Sequence, residues 1–153
     1  MKTTNKPAFT STLGRGVLAS VAGTAVMTAF QKFVEMPITG RGESDAPAKF
    51  AEKVLPISSD QPLTRRQFNY VAHFGIGTLW GAAFAIAGRM GLHGQKAVHV
   101  VFPTVLTADI LLNTALGLYK PSSWSKQDWI VDLVDKYVQA QATSAVFDRI
   151  DTP

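Results

Sequence analysis

The amino-acid sequence predicts an all-α fold, an integral membrane bundle of four transmembrane helices with a short amphipathic helix in the first loop. Charged residues make up only 17% of the 153 residues, whereas an ordinary soluble domain carries about 25%. The charges concentrate in residues 32–66 and near the chain ends. They leave long apolar runs that are separated by polar loops, as membrane spans are.

We expect a single membrane domain, residues 1–153, because no boundary interrupts this pattern. The apolar runs predict spans at about 13–34, 68–88, 97–118 and 127–150. The first run could instead be a signal peptide, since Lys2 and Lys6 precede it. No convincing small-x-small cleavage site follows it, so a retained helix is the better interpretation.

The first loop contains a second helical signal at about 45–55. Pro47, Phe50, Ala51, Val54 and Leu55 have the spacing of one apolar helix face. A helix of this length cannot span a bilayer, and we therefore expect it to lie at the membrane interface. Partner docking at this helix is an alternative.

Capping signals precede two of the spans. Thr64 and Gln67 have the spacing of a capping box at the start of the second span, and Ser125 and Asp128 repeat this spacing before the last helix. Both pairs predict a helix N-terminus.

The last helix is less apolar than the others. Its polar residues Asp132, Asp135, Lys136, Gln139 and Thr143 follow a single stripe. This segregation is typical either of an inward-facing span or of an amphipathic helix on the membrane surface. We favour the span, because the helix is long enough to cross a hydrocarbon core of about 30 Å.

Small residues predict where the helices approach each other. Gly16 and Gly23 lie on one face of the first span, and Gly77 and Gly81 form a GxxxG motif in the second. Such faces allow close packing of membrane helices. The residues that we expect to anchor the chain at the membrane interface are Trp124, Trp129, Arg65 and Arg66.

An acid, Asp109, lies near the middle of the third apolar run, where a charge is costly without a partner. Matching the antiparallel helices by depth, at about 1.5 Å per residue, places Lys136 near it. The two form a candidate buried ion pair. We predict an intramembrane polar cluster in the half of the bundle nearer the long loop, formed by Asp109, Asn113, Asp135, Lys136, Gln139, His73 and Thr28.

Two roles for this cluster remain open. The acids and Lys136 could simply pair, either as Asp109 with Lys136 or as Asp132 with Lys136, and so fix the helix register. Alternatively, they could form a proton or ion path. The bundle is small for a gated path within one protomer.

Cofactor and enzyme chemistry have little support in the sequence. The chain has no cysteine, which excludes thiolate metal sites and cysteine nucleophiles. His73 and His99 should lie near opposite ends of the bundle, too far apart to hold a haem together. No recognisable catalytic pattern occurs, so we expect no enzyme activity, no cofactor and no metal.

Several motifs resemble those of the YagU-like bacterial inner-membrane proteins. They include Met36-Pro37, Thr39-Gly40-Arg41, Ser44-Asp45-x-Pro47, His73-Phe74-Gly75-x-Gly77 and Leu116-Gly117-Leu118-x-x-Pro121. The resemblance covers most of the chain. It implies a small multi-pass protein of the bacterial inner membrane with both termini in the cytoplasm, and it implies no catalytic residues.

We therefore expect a structural or accessory component of the membrane, a subunit of a larger complex. The alternative is a small transporter or proton/ion-conducting oligomer that uses the Asp/Lys/His cluster. The expected partners are the lipid bilayer and other membrane protein subunits, or a second copy of the chain. Because the basic residues flank apolar runs, they are membrane-surface anchors in this interpretation, and no nucleic acid is expected.

Overall fold

The structure, a computed structural model, describes residues 8–56 and 62–151. These residues form six α-helices: α1 (Phe9–Phe30), α2 (Met36–Thr39), α3 (Ala46–Val54), α4 (Arg65–Arg89), α5 (Gly94–Ala115) and α6 (Lys126–Ile150). A π-helical segment, Gln31–Glu35, joins α1 to α2, and a 3-10 turn, Pro121–Ser123, precedes α6. No strand occurs in this part of the chain, and the all-α prediction is confirmed. Lys2 and Lys6 lie outside the described residues.

Three helical stretches are long and apolar enough to cross a membrane, rather than the four that we expected. They are Phe9–Thr39, Arg65–Arg89 and Gly94–Ala115. α6 has 25 residues, as many as α4, but the charged and amide side chains along its polar stripe make it too polar to be an apolar span. Its position in the fold follows from its packing against α1 and α5.

The two capping boxes are present as predicted. The Thr64 hydroxyl accepts a hydrogen bond from the Gln67 backbone N–H (3.3 Å), and Gln67 Oε1 accepts one from the Thr64 backbone (3.0 Å). Ser125 and Asp128 make the same reciprocal pair at the start of α6, at 3.1 and 2.8 Å. Each box satisfies backbone donors that a helix start otherwise leaves unpaired.

α1 packs antiparallel against both α4 and α6, and α5 completes the bundle against the other faces of α4 and α6. The α1–α6 contact extends from Gln31 and Asp135 near one end to Arg15 and Asp151 at the other. α6 therefore runs along α1 for most of its length. It is a helix of the bundle and does not lie across the bundle surface.

The four glycines predicted to mediate helix packing lie at helix contacts. A Cβ atom on Gly81 would stand 2.0 Å from the Gly16 carbonyl oxygen, so α1 and α4 touch through their backbones. A Cβ on Gly77 would meet Thr24, and one on Gly23 would meet Thr143 of α6. At Gly16 and Gly81 a larger residue would meet backbone and would have to separate the helices, whereas at Gly23 and Gly77 a threonine hydroxyl would first have to move.

α3 packs on α4 with part of its predicted apolar face. Ala48 and Ala51 are buried, and the Ala48 backbone N–H donates to Asn69 Oδ1 of α4 (3.0 Å). Val54 and Leu55, which we expected on the same apolar face, do not pack on α4 and are exposed. The helix ends at Val54, and Leu55 adopts an extended conformation that leaves the helical face.

The bundle has two dissimilar halves. The half nearer the chain ends is packed with apolar side chains, among them Phe84, Val98 and Phe147, and Arg15 pairs with Asp151 at its outer end. The half nearer the long loop contains most of the polar side chains that were predicted to cluster.

The Gly16–Gly81 contact predicts a strong effect of a single methyl group. We expect Gly81→Ala to lower the free energy of unfolding by about 1–3 kcal/mol, because the new Cβ meets backbone that cannot move aside. Thermal unfolding and SDS titration of the purified protein in a mild detergent would measure the change.

Gly75→Ala is the matched control, since Gly75 lies in the same helix and a Cβ there meets nothing within 4 Å. This variant should be neutral or slightly more stable, because alanine favours a helix over glycine. Equal effects of the two substitutions would contradict a backbone contact at Gly81.

A polar cavity as the candidate functional site

A cavity of about 350 Å³ lies in the half of the bundle nearer the long loop. α4 and α6 supply the largest shares of its wall, α1, the π-helical segment and α3 supply further residues, and α5 contributes Asp109 and Asn113. Exposed loop residues such as Gly42 and Ser44 line its mouth. Met27, Gly77, Trp80 and Gln139 also line it. The cavity thus opens towards the loop, whereas the apolar half of the bundle lies beyond it.

Lys136 of α6 holds two carboxylates on different helices. Its ammonium group lies 2.8 Å from Asp109 Oδ2 of α5, and it also pairs with Asp132 one turn before it in α6. The three side chains are mostly buried, with 14%, 22% and 19% exposed for Lys136, Asp109 and Asp132. Both pairings that the sequence left open are present, and Asn113 Nδ2 donates to Asp109 Oδ1 at 3.0 Å.

Asp135 is buried beside this group but is bound differently. Only 6% of the residue is exposed. Gln31 Nε2 donates to its Oδ2 (2.7 Å), while its Oδ1 has no hydrogen-bond partner among the described residues. Gln31 begins the π-helical segment, so the change in helix geometry occurs where α1 reaches this acid. An unpaired buried oxygen is costly and calls for an explanation.

Uncharged side chains connect the remaining members of the predicted cluster. Gln139 Nε2 of α6 donates to the Thr24 hydroxyl of α1 (2.9 Å), and Thr28 Oγ1 lies 3.2 Å from His73 Nε2 of α4. The seven predicted residues therefore all line the cavity. Lys136 with its acids and Asp135 with Gln31 form two groups that contain charges, and the Gln139–Thr24 and Thr28–His73 contacts are neutral. The structure does not place them in a single ion-paired network.

Glu43 organises the mouth of the cavity. It accepts hydrogen bonds from the Tyr70 hydroxyl (3.0 Å) and from Arg66 (3.1 Å), and Lys32 lies 3.6 Å away. The Tyr70 hydrogen bond, together with the charges of Arg66 and Lys32, lowers the pKa of Glu43 below its usual value. A charged Glu43 thereby connects the loop to the π-helical segment and to α4.

A second loop acid, Asp45, is held in the same way. Lys49 lies 3.0 Å away and Arg65 lies 3.5 Å away. The hydrogen bond from Lys49 and the charge of Arg65 lower the pKa of Asp45. Asp45 therefore joins α3 to the start of α4.

The predicted interface anchors make contacts within the protein. Arg65 pairs with Glu52 and Asp45, and Arg66 pairs with Glu43. Trp124 stacks edge-on against Trp129 with 4.8 Å between ring centroids, and it also lines the cavity. Their role as membrane anchors stays a prediction.

Sequence reasoning missed several residues of the site. Gln31 is not among the residues predicted to form the cluster, although it donates a hydrogen bond to Asp135. Tyr119 lies with its ring centroid 5.8 Å from the Lys136 ammonium, and Glu35 lines the cavity from the π-helical segment. The polar end of the first apolar run, Gln31 to Glu35, was the available signal.

No protein-family model matches the chain, and no curated protein or solved structure is similar to it. The resemblance to the YagU-like proteins therefore stays a prediction.

We expect Lys136→Met to destabilise the protein by about 3 kcal/mol, because it leaves two buried carboxylates without their cation. Lys49→Met is the matched control, since Lys49 forms an exposed ion pair with Asp45 and such pairs contribute little. Unfolding in mild detergent would compare the two variants. A Lys136→Met protein as stable as the control would contradict a structural role for the three-residue group.

Proposed function

We propose that the chain is a multi-pass protein of the bacterial plasma (inner) membrane in which α6 crosses the bilayer together with α1, α4 and α5. The observation that carries this proposal is the distribution of side chains on α6, which is the inverse of that on a helix of a soluble protein. Its polar residues Asp135, Gln139 and Thr143 are buried against the bundle, whereas its apolar Ile130 is 60% exposed. A helix with polar groups inside and apolar groups outside suits a lipid environment.

The outer surface of the other long helices supports the same placement. Large apolar side chains are exposed around the bundle. They include Leu18 of α1, Phe33 of the π-helical segment, Val71 and Leu79 of α4, and Leu111 of α5. Contiguous exposed apolar surface is unusual in a soluble monomer. α3, with exposed Val54 beside its charged face, lies at the membrane interface in this arrangement.

We further propose that the protein acts as a structural or accessory component. Lys136 ties α6 to α5 through Asp109, and the backbone contact of Gly16 with Gly81 closes α1 on α4. Both features favour a rigid helical module over a gated path. Because the glycine faces are used inside the chain, partners or a second copy would contact the exposed apolar surface of α5.

The alternative function is a small transporter or an ion-conducting oligomer. The unpaired Oδ1 of Asp135, in a cavity that opens to one side, favours it. The apolar half, with Phe84 and Phe147 buried between the helices, argues against a continuous path through one protomer.

Both termini lie in the cytoplasm in this proposal, and the cavity mouth then faces the opposite side. Gly42→Cys at the mouth and Met90→Cys at the other end introduce single thiols into a chain without cysteine. We expect a membrane-impermeant maleimide to label Gly42→Cys in intact cells and Met90→Cys only after permeabilisation. The reverse pattern would overturn the orientation, and labelling of both in intact cells would overturn the spanning arrangement.

Purified protein in liposomes should carry no proton or cation flux above that of empty liposomes. Asp109→Asn is the variant to compare, because it removes one acid that Lys136 holds. A flux that this substitution abolishes would show that the protein is a transporter and would overturn the accessory role.

Purification in mild detergent should recover a second membrane protein or a homo-oligomer, and recovery of the 16.5 kDa chain as a monomer would count against the accessory role.

A further inference from the structure

The charges around the cavity are unbalanced. Among the described residues, six carboxylate side chains line it together with His73, but only three lysine or arginine side chains do, Lys32, Arg41 and Lys136. Each of these bases is already engaged: Lys32 with Glu43, Arg41 with Asp128 at 2.8 Å, and Lys136 with two acids. The cavity therefore carries a surplus of negative charge when its acids are ionised.

The surplus is concentrated at Asp135 and Glu35. No described ion pair involves either residue. Glu35 lies close enough to act electrostatically on Asp135, and among the described residues its side chain accepts a hydrogen bond only from Thr39 (2.7 Å). Asp135 is 94% buried and keeps one oxygen unpaired. A buried acid of this kind is stabilised by a cation or by protonation.

Aromatic residues surround the same space. Phe50, Tyr70, Trp80, Tyr119 and Trp124 line the cavity together with the acids. Aromatic faces attract organic cations, and ammonium groups in particular. Within the part of the chain that the structure describes, no three His, Asp or Glu side chains are arranged to hold a metal ion. Carboxylates combined with aromatic faces suit an organic ammonium group better than a metal.

We propose that this cavity binds a small organic cation whose ammonium group pairs with Asp135, with Glu35 as a second carboxylate at the site. The volume of about 350 Å³ lies at the lower end of the range of small-molecule pockets, which is about 300–1,000 Å³. The ammonium group comes either from a soluble amine or from an aminolipid headgroup. The inference rests on the cavity alone and does not depend on the accessory role.

Titration of the full chain in maltoside micelles with putrescine tests the proposal, with 1,4-butanediol as the uncharged ligand of the same length. Calorimetry measures affinity, and tryptophan fluorescence reports occupancy because Trp80 and Trp124 line the cavity. We expect saturable binding of putrescine and none of the diol. Asp135→Asn should weaken the affinity about tenfold or more, because it removes a charge-assisted hydrogen bond.

Asp148→Asn is the matched control. Asp148 is an α6 carboxylate that accepts a hydrogen bond from the Gly94 backbone (2.9 Å), far from the cavity, and its loss should leave putrescine affinity unchanged. Glu35→Gln keeps the test decisive if Asp135→Asn does not fold, and it should also weaken binding. Thermal unfolding of each variant shows whether it is folded.

Added phosphatidylethanolamine distinguishes the two sources of the ammonium group. Competition with putrescine would assign the site to the lipid headgroup, and unchanged binding would assign it to a soluble amine. Absence of putrescine binding in lipid-free micelles would overturn the proposal. Equal binding of the diol, or loss of affinity in Asp148→Asn, would also overturn it.

Discussion

The structure depends on the burial of the polar stripe of α6 against the rest of the bundle. Lys136 is the central group of this stripe, because it binds Asp109 of α5 and Asp132 of its own helix. A buried charge without a partner is strongly destabilising. The position of α6 relative to α5 is therefore set by where these three side chains can meet, and the polar cavity forms beside them.

A second constraint acts at the opposite half of the bundle. Gly16 and Gly81 bring the backbones of α1 and α4 into contact, and Phe84 and Phe147 fill the space between the helices. The polar side chains that are buried there, such as Thr12 and Ser20, are small. The apolar half therefore holds the helices together, and the polar half contains a cavity that is open to one side.

The π-helical segment links these constraints to the site. α1 packs as a regular helix along the glycine contacts, and its geometry changes at Gln31, where the side chain donates to Asp135. π-helical turns in proteins occur frequently at functional sites. The regular α-helical geometry thus ends at the residue that contacts the buried acid. Glu35, at the end of the π-helical segment, lines the same cavity.

The long helices, the starts of α4 and α6 and the depth at which Asp109 meets Lys136 could be predicted from the sequence, whereas the ends of α1 and α5 lie three to four residues from the predicted ones. Apolar runs, capping boxes at Thr64 and Ser125 and the rise of a helix are local properties, and they sufficed to pair Asp109 with Lys136. Tertiary structure alone decided that α6 runs along α1 and that Asp135 keeps one oxygen unpaired. It also decided that loop acids such as Glu43 close over the cavity. These outcomes depend on which faces pack together and on side-chain distances across helices, and a one-dimensional pattern does not contain that information.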